Sequence, residues 1–162
     1  MLKQNLQKRL KHLYVVELLN VAWLPLCFYW VARVLNQPIG PNSILSILLC
    51  CIFLVEGGVF WLLISRGIAQ GKGYSRSITA FRPIRKVNLA LILAYLLYLG
   101  LNFSFYSFID GVGTFIFGTL AILEHINYFG YQLMYDNRND LRYLRRYGRL
   151  KRSRLSRLLH QL

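Results

Sequence analysis

Four stretches of this chain are apolar for longer than a soluble helix can bury. They run over residues 13–35, 44–65, 87–109 and 112–135. Each exceeds the roughly 20 residues that carry a helix through a hydrocarbon layer about 30 Å thick. A helix of a soluble domain keeps one polar face for water, whereas these runs are apolar on nearly all sides, the fourth becoming polar only toward its end. The expected fold is therefore all-α: a four-span transmembrane helical bundle at residues 13–135, with short basic amphipathic ends at 1–12 and 136–162.

Composition agrees. Hydrophobic residues make up 56% and charged residues 16% of the chain, where a soluble domain carries about 25% charge. That balance argues against a disordered tail, a disulfide scaffold and an ordinary soluble enzyme. The net charge of +14 would suit a nucleic-acid binder only if its basic residues clustered on a soluble surface. They lie between the apolar runs instead, which disfavours nucleic acid and makes the charge a statement about threading.

Nineteen of the 20 Lys and Arg fall in the N-terminal segment, the loop at 66–86 and the tail. With four spans these three segments share one side, and Arg33 stands alone on the other. Basic loops stay cytoplasmic, so both termini and the middle loop are expected in the cytoplasm, with the protein in a bacterial plasma membrane. The first run is too long for a signal-peptide core, contains Glu17 and precedes no small-residue cleavage site, so it reads as a retained span. The turn residues NQPIGPNS join the first two spans, and Asp110–Gly111 reads as a tight turn between the last two. Arg33 and Asp110, the formal charges of the far side, are expected to meet.

Carboxyl groups inside a bilayer are costly and turn inward toward partners. Glu17, Glu56 and Glu124 are such groups. Glu56 and Glu124 each lie twelve residues into a run of the same direction, about 18 Å below the far surface, so they can meet at one depth. In the fourth span Glu124, Tyr128, Tyr131 and Tyr135 form one helical stripe, flanked by Asn127 and by His125 and Gln132. In the first span Glu17 and Asn20 share a face, and Gly57 and Gly58 in the second let another helix approach closely. The expected cluster joins Glu56, Glu124 and His125, with Tyr128 or Asn127 donating to a carboxylate.

Three chemistries fit such a cluster. It can be a hydrogen-bonded core that sets helix register, a proton- or cation-coupled transport site built on Glu56 and Glu124, or a metal site with Glu56, Glu124 and His125 as ligands. Adjacent Glu124 and His125 lack the Glu-x-x-His spacing of di-iron bundles. No nucleophile elbow, zinc-protease motif or phosphate loop is present, and GKGYS at 71–75 lacks P-loop spacing. Cys27, Cys50 and Cys51 sit in spans without redox or metal spacing and read as small buried residues. No cofactor is required. The leading expectation is a non-enzymatic membrane component that packs with itself or with a larger complex, with a transporter second and a membrane-embedded metalloenzyme third.

The tail repeats leucine at helical spacing, at Leu141 and Leu144 and again at Leu155, Leu158, Leu159 and Leu162, around a break at Gly148. The opposite faces carry Arg145, Arg146, Arg149, Lys151, Arg152, Arg154 and Arg157. Such helices suit a membrane surface with anionic headgroups.

Overall fold

The computed structural model describes residues 2–70, 78–102, 104–134 and 138–161. The loop motif at 71–75 and Tyr135 lie outside the described residues. Among the described residues six helices follow one another: α1 (Leu2–Val34), α2 (Pro41–Gln70), α3 (Phe81–Leu101), α4 (Phe108–Phe129), α5 (Arg138–Tyr147) and α6 (Arg154–Gln161). Within α1 to α4, segments of 28, 29, 21 and 22 residues are long and apolar enough to cross a membrane. The shortest is about 31 Å long, one hydrocarbon thickness.

Side-chain pairings set the directions. Gly40 lies against Asp110 and Gly57 against Tyr128, so α2 and α4 run parallel. Glu17 meets Tyr128 and Phe28 meets Gly113, which makes α1 antiparallel to both. Asn88 meets Glu56 and Tyr95 meets Ser46, so α3 is antiparallel as well. The arginine- and lysine-rich segments thereby gather at one end of the bundle, here termed the basic end.

The central pair is α2 and α4, with 44% and 39% of their spans buried, against 11% and 17% for α1 and α3. Close approach needs small residues. A Cβ on Gly113 would stand 2.4 Å from the Phe28 ring and 2.8 Å from Ser43. Helix α3 is held differently, by long side chains that reach inward: Phe81, Asn88, Ile92 and Tyr95 are its buried residues. The Tyr95 hydroxyl hydrogen-bonds Ser46 Oγ at 2.8 Å, and a Cβ on Gly118 would stand 2.3 Å from it.

The basic N-terminal segment and the first span form one continuous helix, since nothing before Pro25 interrupts it. Pro25 lacks an N–H and frees the carbonyl four residues back. That carbonyl, on Val21, accepts from the Cys51 thiol of α2 at 3.6 Å, so Cys51 does more than fill space. Helix α1 ends in a Schellman motif. Asn36 takes a left-handed φ of 50°, and Gln37 N–H closes on Ala32 O at 3.0 Å.

The turn between the last two spans differs from the expected one. Helix α3 stops at Leu101 and α4 starts at Phe108, so residues 102–107 form the connection and Asp110–Gly111 are helical. Capping chemistry explains the shift. The Asn102 side chain donates to Tyr98 O at 3.0 Å, and Ser107 Oγ accepts the Asp110 amide at 3.0 Å. Ser-x-x-Asp at 107–110 is a helix start. Asp110 is completely buried and accepts the backbone amides of Ser43 at 2.9 Å and Tyr106 at 3.1 Å. The expected meeting with Arg33 gives way to these amides, and Arg33 stays exposed.

At the basic end α4 stops at Gly130, where a Cβ would stand 3.0 Å from Ile126 O. The chain then pairs with the tail: Gln132 N–H bonds Lys151 O at 2.8 Å and Ser153 N–H bonds Gly130 O at 3.0 Å. Tyr131 is half-exposed in this pairing, opposite Arg152, so the tyrosine stripe ends at Tyr128. Ser153 donates to Tyr128 O and accepts the Ser156 amide at 3.0 Å, which docks α6 and caps it at once. Leu155 of α6 is 1% exposed and packs with Leu10, Phe60, Ile64 and Phe81. Arg82 closes the other end of α6 with a bond to Leu159 O at 3.2 Å.

Candidate functional site

Between the two halves of the apolar core lies a polar layer to which all four spans contribute. Tyr128 of α4 is its centre. Its hydroxyl end lies against Gly57, where a Cβ would stand 2.3 Å from the hydroxyl. The hydroxyl donates to Glu17 Oε1 of α1 at 2.5 Å and accepts from Trp61 Nε1 of α2 at 3.2 Å. Gly58, the next residue, faces Leu18 and Glu17 of α1. The paired glycines thus serve two neighbours, one each.

A second link joins α2 to α3. Asn88 Nδ2 donates to Glu56 Oε2 at 2.5 Å. Asn88 is only 1% exposed, and its other atom, Oδ1, has no partner. Two further buried atoms share that condition, Glu124 Oε2 and His125 Nδ1. The His125 ring rests between Phe53 and Phe129, with centroids at 6.0 and 5.2 Å.

Glu56, Asn88, Glu124, His125 and Tyr128 line one cavity of about 10 Å³, which Leu155 helps to wall off at the basic end. That is close to the space needed by one water. The structure therefore brings Glu56, Glu124 and His125 to one place, with Tyr128 beside them. Tyr128 spends its proton on Glu17. Asn127 serves the Glu124 carboxylate and, through Oδ1, accepts the Leu133 amide at 2.9 Å just past the helix end. Asn20 is half-buried and does not line the cavity.

Two participants were missed in the sequence, Asn88 and Trp61. Asn88 stands near the start of an apolar run, where a polar residue reads as a boundary. Trp61 reads as an interface aromatic, although a buried indole N–H generally needs an acceptor.

Among the described residues no three of His, Cys, Asp or Glu come together so as to hold a metal ion. The proposed ligand set of Glu56, Glu124 and His125 lines the cavity without forming such a group. The remaining basic candidates lie apart from it. Arg145, Arg146, Arg149, Arg152 and Arg157 are exposed, and Lys151 and Arg154 are half-exposed. Lys151 sits over the Tyr143 ring at 5.8 Å.

No family model, curated protein or solved structure matches this chain. The four apolar helices make it a small integral membrane protein of helical-bundle type.

Proposed function

We propose that this protein is a small non-enzymatic multi-pass component of a bacterial plasma membrane, with both termini and the middle loop in the cytoplasm, that packs with a second copy or a larger membrane complex. The observation that supports packing is the state of α3. Its only buried residues are Phe81, Asn88, Ile92 and Tyr95, while Leu89, Leu93, Leu96 and Leu97 face outward. Lipid gives helices no hydrophobic drive to associate, so a span held by so few contacts gains order from a neighbouring helix. The exposed arginines of α5 would lie on anionic headgroups.

The experiment is cysteine cross-linking in native membranes. Single cysteines at Leu93 or Leu97, in a chain whose own cysteines are replaced, should give a specific cross-linked species. Cysteines at Leu49 or Leu54, buried inside the bundle, should not. Equal, diffuse reaction at all four positions sinks the packing role. Reporter fusions after Asn36 and Gly111 should report the outside, and a fusion after Lys72 the cytoplasm.

A further inference from the structure

We propose that the cavity between α2, α3 and α4 binds one water and one exchangeable proton, the proton being shared between Glu124 and His125. This goes beyond the packing role and is independent of it.

Hydrogen-bond accounting carries the argument. The cavity wall holds three buried atoms without partners: Asn88 Oδ1, Glu124 Oε2 and His125 Nδ1. Asn88 cannot turn to relieve its own atom, because its Nδ2 is committed to Glu56. An amide oxygen and a carboxylate oxygen accept, and an imidazole nitrogen does either. Buried polar atoms of this kind are normally satisfied. The cavity has about the volume of one water, and a water needs two to four polar partners. Three are present.

One water satisfies all three atoms in two protonation states. In the first, Glu124 is ionised and His125 carries its proton on Nδ1. The imidazole then donates to the water, and the water donates to Asn88 Oδ1 and Glu124 Oε2. In the second, Glu124 is protonated and donates to the water, which donates to Asn88 Oδ1 and to a bare His125 Nδ1. The passage between them balances. A proton binds His125 Nε2, the Nδ1 proton moves to the water, and a water proton moves to Glu124 Oε2. One proton is gained, and every group keeps its place. Glu56 of α2 and Tyr128 of α4 line the cavity with this pair, and Glu17 of α1 accepts from the Tyr128 hydroxyl.

The test uses the full chain in lipid nanodiscs, with infrared difference spectra of the carboxyl C=O stretch recorded through a pH titration in H₂O and D₂O. The wild type should show a protonated-carboxyl band that titrates between about pH 5 and pH 9 and shifts in D₂O. Glu124→Gln should abolish it. His125→Asn, folded by circular dichroism, should keep the band but move its midpoint by about one pH unit or more, a tenfold change in proton affinity. A wild type without a titrating band overturns the proposal, as does a band that survives Glu124→Gln or a midpoint that His125→Asn leaves in place. Should Glu124→Gln fail to fold, the His125→Asn midpoint decides alone.

Discussion

Helix α4 carries two inward-facing carboxylates, Asp110 near its start and Glu124 in its last two turns, and the bundle serves them in opposite ways. Asp110 receives backbone amides from two separate segments, Ser43 and Tyr106. Those donors are fixed by the main chain and cannot be withdrawn without undoing helix starts. Glu124 is surrounded by side chains, and one of its oxygens is unserved. A carboxylate fed by backbone is a rivet, with both oxygens satisfied by the main chain. A carboxylate fed by side chains, with one position open, retains a choice of protonation state. The burial of an acidic residue in a span therefore says little until its donors are known.

Substitutions at the two positions should separate these roles. Asp110→Ala leaves two buried or half-buried amides without acceptors, so the expected loss is the largest, about 2–4 kcal/mol by reversible unfolding in mixed micelles. Glu124→Gln keeps the shape and should cost less than about 1 kcal/mol in the same assay. Equal losses at both sites would break the contrast.

Next in size is Gly57→Ala, which forces the Tyr128 ring off α2 and its hydroxyl away from Glu17; about 1–3 kcal/mol is expected. Tyr128→Phe removes only the hydroxyl and strands Glu17 Oε1 and Trp61 Nε1, for about 1–2 kcal/mol. If Tyr128→Phe costs more than Gly57→Ala, the hydrogen bond and not the fit of the ring organises the layer. The smallest effect belongs to α5. Changing Arg142, Arg145 and Arg146 to Gln should alter stability by no more than about 0.5 kcal/mol. The same change in a synthetic peptide of residues 136–162 should weaken its sedimentation with anionic vesicles, and unchanged binding would remove lipid attraction as the role of this helix.

The fold class was legible because hydropathy over twenty residues has one common solution in a bilayer. The co-location of Glu56 and Glu124 was legible too, since depth follows from rise per residue once two spans run parallel. What escaped was local chemistry. Asp110 read as a turn residue because Asp-Gly commonly marks one, whereas Ser107 three residues earlier made it part of a helix start. Gly130 cut the tyrosine stripe that the heptad spacing would have continued to Tyr131. Asn88 and Trp61 entered the polar layer through the rotation of α3 and α2 about their axes, which packing determines and composition does not. The docking of α6 depended on Ser153, a small residue among arginines whose two side-chain hydrogen bonds no pattern of charge announces.

That docking has a consequence for how the protein is made. Leu155 walls off the polar cavity, yet it follows all four spans in the chain. Synthesis delivers the N-terminal elements first, so the membrane helices can be threaded and paired before anything covers their acidic layer at the basic end. Until Ser153 finds the end of α4, Leu155 is not in place beside the carboxylates. Closure of the interior is thus an act of the tail, completed after the membrane has already accepted the rest.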